Sequence, residues 1–468
     1  MRSKSPVTST FAEIVLYLSI PLMVGAFFVL RPVVAVMVVA LGAEMFLPEG
    51  PVLKLPLTPG FDKHTLPYLC ILIACLIRSP GRVTKPPKEK WISVLALLLI
   101  VGGVATALTN SDGLVLGNSG QVYVAGLTIK DGFYMGLSNF TETFLPFYVG
   151  YALFRKHEEM ESLLSGLAVA GLVYIPFALV ELRLSPQWHR WVYGYAQHAD
   201  FNQAIRWGGY RPMIFMPHGL AVGRFFAAAT FALIVLAKTR RTLFGLSTKL
   251  LGWTQFIVLV ACKSTGAILS AFVGAPLLAL AKPKRQLLIA AFLAWATLLY
   301  PLLRLSGVFP VTTFVDAAGA MQAERGGSLA FRFLNEDQVL THTRDRIVFG
   351  WGEYGRNMIH DWEGKNDSVL DGYWLIRMSV SGLVGFVTAF APLLIPVFLA
   401  HRRLRTLPKG REQWVVAGIA FTVSILALDL IPNGLWGCYP FLLAGALTRR
   451  LREAKAEQQE RLALQPGS

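Results

Sequence analysis

The stretch 206–224, RWGGYRPMIFMPHGLAVGR, concentrates residue types that bind anions. Arg206 and Arg211 each carry a fixed charge on a planar fork of donors, which matches phosphate or diphosphate oxygens. Pro212 and Pro217 break the backbone just ahead of an apolar run. The first N–H groups of a helix starting there would be free for the same anion. Tyr210 and Pro212 stiffen the segment around Arg211, and His218 opens the apolar run. The competing reading is structural: both arginines as interfacial residues against lipid head groups, and His218 as a packing histidine. Lys263 sits in the short polar step Lys263-Ser264-Thr265 between two apolar runs. It is either an anion contact or a turn residue whose stem lies along the apolar layer.

A second group lies in 328–377. Over 329–343 the pattern fits a short helix with Arg332, Glu336 and Thr343 on or near one side. Arg344 and Arg346 follow, then FGWGEYG at 349–355, whose glycines permit a tight turn and close approach of a ligand. That glycine pattern lacks the strand–turn–helix setting of a nucleotide site. His342 is of the residue type most often used as a general base or positioning donor, and Glu336 is the other candidate base; a satisfied structural histidine is the alternative. Asp371 stands at the mouth of the next apolar run, with Arg377 about one and a half helical turns inside it. Both are costly in lipid and must face protein or a cavity; pairing with each other would be purely structural. No zinc-protease spacing, phosphate loop or nucleophile elbow occurs.

The elements that carry these residues follow from composition. Of 468 residues, 54% are hydrophobic and 15% charged, against about 25% charged in soluble domains. Apolar runs near the length of a membrane span, about 20 residues, fall near 11–30, 32–47, 64–78, 91–108, 132–154, 162–180, 214–237, 247–262, 264–281, 286–305, 372–399, 414–431 and 432–448. The chain therefore reads as an all-α polytopic membrane protein with twelve or thirteen transmembrane helices. Arg31-Pro32 interrupts 11–47, which is either a hairpin or one span plus a re-entrant piece. The expected organisation is an N-terminal hairpin or span with a short loop (1–63), helices (64–180), a first large loop (181–213), helices (214–305), a second large loop (306–371), helices (372–448) and a tail (449–468). Charged residues inside the apolar runs are few, chiefly Glu44, Glu142, Arg377 and Asp429.

A formal charge of +16 would suggest nucleic acid in a soluble protein. Here the basic residues cluster in short turns: Arg78 to Lys90, Lys238/Arg240/Arg241, Lys282/Lys284/Arg285 and Arg402 to Arg411. The positive-inside rule places those turns in the cytoplasm and removes the case for a nucleic-acid partner. The large loops then lie outside, including 306–371 with ten acids and six bases. The four cysteines have no metal or redox spacing and read as packing residues.

Over roughly residues 64–448 the chain resembles the O-antigen ligase and polymerase superfamily of bacterial envelope glycan enzymes. The matching pieces are GGYRPMIFMPHGLA, ACKSTGAILSAFVG, the late loop ending in FGWGEYG, and DGYWLIRMSVSGLVGF. The resemblance implies a GT-C-like helical glycosyltransferase fold with a large periplasmic loop between late helices, in the bacterial inner membrane with its active site facing the periplasm. It implies an undecaprenyl-diphosphate-linked glycan donor, a glycan acceptor, the lipid bilayer, and a chain-length regulator or export complex as partners. Arg211 takes the place of the family's arginine in the first large loop, and Arg332 that of the arginine opening the second loop's helix. His342 matches a polar position upstream of the glycine turn. Lys263 precedes Ser264 where the family often has Ser-Arg, and Asp371-Gly372 stands where it often has His-Asn. These departures favour an exopolysaccharide or capsule polymerase over an O-antigen ligase acting on lipid A–core.

The chemistry so implied is inverting transfer without metal or cofactor. Arg211 and Arg332 would stabilise the leaving diphosphate, and His342 or Glu336 would take the acceptor's proton. Arg206, Lys263, Arg344, Arg346, Tyr210, His218 and Asp371 would contribute to substrate binding. A transporter or flippase for lipid-linked glycan, and a non-catalytic assembly protein, are the alternatives from other classes.

Overall fold

The computed structural model describes residues 8–56, 58–117, 122–239, 242–321 and 323–464. Arg240 and Arg241 of the second basic cluster lie outside them. Lipid offers the backbone no hydrogen-bond partner, so apolar runs that enter it close their bonds within helices. Helix α1 spans Thr10–Val29 and α2 Pro32–Phe46. They are followed by α3 Leu66–Arg78, the single turn α4 Pro80–Val83, and α5 Lys90–Leu108. Then come α6 Ile129–Asn139 and α7 Leu145–Leu153, joined by a π-helical turn at Phe140–Phe144. The middle of the chain forms α8 His157–Leu184, the short α9 Trp188–Tyr193, α10 Gly219–Thr239, α11 Thr248–Ala261, α12 Thr265–Leu280 and α13 Pro283–Leu305. The last third holds α14 Val311–Met321, α15 Ala323–Arg344, α16 Tyr373–Arg403, α17 Arg411–Asp429 and α18 Tyr439–Ala463. Small antiparallel hairpins pair β1 Leu114–Leu116 with β2 Val122–Val124, β3 Ile205–Arg206 with β4 Gly209–Tyr210, and β5 Thr242–Leu243 with β6 Leu246–Ser247.

The architecture is all-α and multi-pass. Among the described residues, seven helices are long and apolar enough to cross a membrane: α1, α5, α8, α10, α13, α16 and α17. Four shorter apolar helices, α2, α3, α11 and α12, stand among them. Helix α10 is the most enclosed of the seven, buried over 83% of its apolar window. Its Ala-rich face lets α8, α11, α12 and α17 pack close around it. Helices α7 and α18 touch backbone to backbone. A Cβ at Gly445 would lie 1.9 Å from the Phe147 carbonyl oxygen, so no larger residue fits.

The structure shows the interruption at Arg31-Pro32 and revises the expected bounds at 432–448, 449 and 329–343. Arg31-Pro32 is a turn between two helices, with Pro32 in the first turn of α2, where an N–H has no helical partner anyway. The 432–448 run is not one span. Its first residues form a loop, Leu430–Cys438, in which Pro432, Asn433 and Gly434 are turn formers. The tail from 449 instead continues α18 to Ala463. The helix expected at 329–343 is the 22-residue α15.

Contacts also fix which helix ends share a face. The Ser9 hydroxyl donates to the Tyr193 carbonyl at 2.5 Å, and the Tyr193 hydroxyl to the Phe46 carbonyl at 2.6 Å. The start of α1 and the end of α2 therefore meet the first large loop, and the Arg31-Pro32 turn lies on the opposite face with the basic clusters. We call these the loop face and the basic face. Single cysteines replacing Arg31, Lys88 or Lys284 are expected to react with an impermeant maleimide from one side of sealed vesicles. Those replacing Asp112, Asp200 or Trp362 should react from the other. Labelling of Arg31 and Asp112 positions from the same side would overturn the arrangement.

Candidate functional site

The first group assembles at the start of α10. The Arg211 N–H donates to the Ala204 carbonyl at 2.7 Å, so the β3–β4 hairpin sets where its side chain begins. The side chain is 4% exposed and crosses Gly219, where a Cβ would lie 2.1 Å from Arg211 Cδ. Its Nη2 donates to the Lys263 carbonyl at 3.3 Å, while Nε has no partner among the described residues. Lys263 occupies the α11–α12 turn with φ +55°, and its ammonium reaches Gly209 of β4. The lysine that stood apart in the sequence thus joins Arg211. Arg206 is exposed on β3 and Tyr210 is half-buried on β4.

His218 is buried immediately before α10, and its Nδ1 accepts the Leu220 N–H at 3.1 Å. That bond leaves the ring proton on Nε2. The ring lies edge-on to His198 with centroids 5.3 Å apart. Burial, with the Arg211 charge and His198 adding to it, holds the His218 pKa down to about 4. Burial and the neighbouring Arg206 lower Arg211 to about 10, which leaves it a cation at neutral pH.

A carboxylate that the sequence did not single out carries this segment. Glu181, fully buried near the end of α8, accepts the N–H groups of Met213 and Ile214 at 2.8 and 2.7 Å. It also accepts those of Gln187 and Trp188, each at 2.9 Å. Lys63, buried and paired with Glu49 at 3.1 Å, donates to the Phe215 carbonyl at 2.7 Å.

The second group sits elsewhere. Arg332 pairs with Asp371 at 3.2 Å, both side chains more than 40% exposed. Glu336 accepts from the Tyr300 hydroxyl at 2.8 Å and from Arg304 Nε at 2.9 Å. Burial pushes its pKa up although both partners oppose this. Arg332, Glu336 and Asp371 line a cavity of about 180 Å³ with Ile431 and Pro432. His342 stacks on Trp351 at 4.1 Å and donates through Nε2 to the Arg356 carbonyl at 3.0 Å. Arg346 pairs with Asp112 at 2.9 Å and covers Trp351, while Arg344 donates to the Leu305 carbonyl at 2.9 Å. Arg344 and Arg346 thereby fasten the second loop to its neighbours, His342 braces it from within, and none of the three is gathered around Arg211.

Asp371 and Arg377 do not pair with each other, contrary to the structural alternative considered from sequence. Asp371 goes to Arg332, and Arg377 Nη1 donates to Asn139 Oδ1. Among the described residues, the Leu430–Cys438 loop links the two groups. Its Ile431 and Pro432 border the Arg332 cavity, and its Leu435 carbonyl accepts from Arg224 on the second turn of α10. The Tyr373 N–H donates to the carbonyls of Leu430 and Asn433 at 3.0 and 3.1 Å. Arg224 was passed over in the sequence although an arginine within an apolar run is itself a signal.

Comparison with protein-family models finds no match to this chain, and comparison with curated proteins finds none either.

Two outcomes follow for the segment over α10. Glu181→Ala would leave four N–H groups without their shared acceptor and is expected to cost about 3 kcal/mol or more. Chemical denaturation in micelles would read this, and a native midpoint would refute it. For His218, the folded pKa lies below the ordinary value of about 6.5. Between about 6.5 and 4 the unfolded chain therefore binds a proton that the folded chain does not, so stability falls as pH falls through that window. His218→Asn keeps an acceptor for Leu220 and is expected to flatten the slope of melting temperature against pH. A slope that does not change would assign the acid sensitivity to other groups.

Proposed function

We propose that this chain is an inverting, metal-independent glycosyltransferase of the inner membrane with a GT-C-like fold, its loop face toward the periplasm. It transfers glycan from undecaprenyl diphosphate to a sugar hydroxyl, and so polymerises O-antigen, exopolysaccharide or capsule repeat units. The observation that supports this best is Arg211: a buried cation at the start of α10 with a free Nε and Lys263 beside it. A donor fork held in a low-dielectric site and not used up by the protein is suited to diphosphate oxygens.

Chemically, the diphosphate is already a competent leaving group. The bond from the anomeric carbon to the diphosphate oxygen breaks, and its electron pair departs on the diphosphate. The acceptor hydroxyl oxygen bonds to the opposite face of that carbon and loses its proton. Arg211, with Lys263 and exposed Arg206, stabilises the charge that grows on the departing group. In this role the guanidinium does what a divalent cation would otherwise do. Arg332, solvent-exposed and paired with Asp371, acts farther along the loop face, where its charge is screened.

The test is turnover by purified protein in nanodiscs with undecaprenyl-diphosphate-linked repeat units, without nucleotide and in EDTA. Longer lipid-linked chains and free undecaprenyl diphosphate are expected. Arg211→Ala should reduce turnover about 10²–10³-fold and Arg332→Ala no more than about tenfold, the smaller loss expected of a screened surface charge. Product formed only when lipid A–core is added would make the enzyme a ligase. No product with either acceptor, while Arg211→Ala still complements a deletion strain, would end the transferase reading.

A further inference from the structure

The transfer also needs a place for the acceptor, and the two bases expected from sequence are engaged elsewhere. Glu336 is bound by Tyr300 and Arg304, and His342 spends Nε2 on a carbonyl while its ring is covered by Trp351. A different set of polar groups lies beyond the Leu430–Cys438 loop. Arg377 on α16 is 6% exposed, and two of its nitrogens, Nε and Nη2, have no partner among the described residues. Its third nitrogen, Nη1, donates to Asn139 at the end of α6. Three residues on, Glu142 lies within Coulombic reach of Arg377. Glu142 is half-buried and accepts from the Ser138 hydroxyl at 2.9 Å.

Three features mark this cluster as more than packing. A buried guanidinium with two unspent donors in a membrane helix is costly and points to a ligand. Glu142 lies on the π-helical turn Phe140–Phe144, and such turns recur at functional sites. The third feature is position. The Cys438 thiol reaches the Glu142 carbonyl at 3.5 Å, and Tyr373, beneath the Arg377 guanidinium, bonds the first half of the same loop. Arg224 meets that loop from α10 on the Arg211 side. The loop is therefore flanked by buried arginines from two separate elements, α10 and α16. An inverting transfer needs such a division, because leaving group and nucleophile occupy opposite faces of one carbon.

We infer that Asn139, Glu142 and Arg377 form the acceptor half of the site, with Glu142 as the base that takes the acceptor hydroxyl's proton. The inference rests on the transferase reading above. Arg377 and Asn139 hold hydroxyls of the acceptor sugar. The proton passes to a Glu142 carboxylate oxygen as the new bond to the anomeric carbon forms and the diphosphate leaves with its electron pair.

The experiment is steady-state turnover in the nanodisc assay, with donor and acceptor varied separately and melting recorded for every variant. Glu142→Gln is expected to lower kcat about 10²-fold or more, with the KM for donor and the melting temperature unchanged. Glu142→Asp should recover part of the loss, and Arg377→Ala should raise the KM for acceptor about tenfold, the loss of one charge-assisted bond. Donor binding, read by tryptophan fluorescence with a short-chain prenyl-diphosphate glycan, should survive Glu142→Gln and fail in Arg211→Ala. Wild-type kcat in Glu142→Gln would overturn the inference while the transferase reading stands. So would a joint fall of kcat, donor binding and melting temperature in both Glu142→Gln and Glu142→Asp, because that is a structural role. Absence of turnover in the wild-type protein would remove the transferase reading and this inference with it.

Discussion

One buried carboxylate determines how the loop face is arranged. The charge of Glu181 is met not by a cation but by four backbone N–H groups. Bonds from neutral donors to a charged acceptor are stronger than ordinary ones, and here four share a single acceptor in a dry setting. Two of the donors belong to the start of α9 and two to the segment that leads from Arg211 to His218. The carboxylate therefore joins the end of one membrane helix to the approach of another. Ile214 shows what this bond has to overcome. It is a β-branched residue at φ +57°, a conformation that costs energy and persists only where surrounding contacts over-determine it. The bonds at Met213, Ile214 and Phe215 do so, and they place Arg211 and His218 on either side of a fixed turn.

The bundle holds its buried arginines in two ways, with Arg304 at the second loop and Arg450 on the basic face met by carboxylates. On the basic face Arg450 bonds Glu412 at 2.5 Å, Glu457 at 2.7 and 2.9 Å, and the Arg155 carbonyl at 3.3 Å. Its neighbours Arg449 and Arg452 reach Glu453 and Glu89 at 2.7 and 3.6 Å. That network sets α18 beside α7, and each of its cations has a carboxylate to answer it. Toward the loop face, Arg211, Arg224 and Arg377 are each at most 6% exposed, and each retains at least one nitrogen without a partner among the described residues. Their bonds go to the Lys263 carbonyl, the Leu435 carbonyl and the Asn139 amide oxygen, which are neutral acceptors. Buried polar groups in a finished structure are nearly always paired, and buried charges more strictly still. These three guanidiniums make their direct hydrogen bonds to neutral oxygens, with Glu142 and Glu353 within Coulombic reach of Arg377 and Asp429 within that of Arg224.

Helix positions were legible in the sequence because a membrane helix needs only length and apolarity, and both are written locally. The basic clusters are the sequence's own sign of which turns share a face, and the Ser9–Tyr193 contact sets the start of α1 against the first large loop. The failures have a common physical origin. The Leu430–Cys438 loop is apolar enough to merge with the runs on both sides, although Pro432, Asn433 and Gly434 announce a turn. Asp371 pairs with the distant Arg332 and not with Arg377 nearby, since a helix that begins at Tyr373 turns Arg377 toward Asn139. Glu181 looked like an ordinary acid at a span's end, because its partners are main-chain groups and leave no trace in residue type. Of the candidate site, the residues around Arg211 were readable as a local cluster. The arrangement about the late loop was not, since the contacts that build it are long-range.

Helix length adds a final constraint on where these groups lie. At 1.5 Å per residue, the thirteen residues of α3 cover about 20 Å, roughly two-thirds of a 30 Å hydrocarbon core. Helix α18 is longer, at 25 residues, but its Arg449 and Arg452 side chains already meet Tyr151 on the basic face about three turns after Tyr439. Both helices begin beside the late loop, where Tyr373 packs toward Trp436 and Trp436 toward His64. The late loop is therefore joined to the start of α3 through Trp436 and to α18 by chain continuity. Charges buried at this end of the bundle act more strongly than charges at the exposed surface, because the local dielectric is lower.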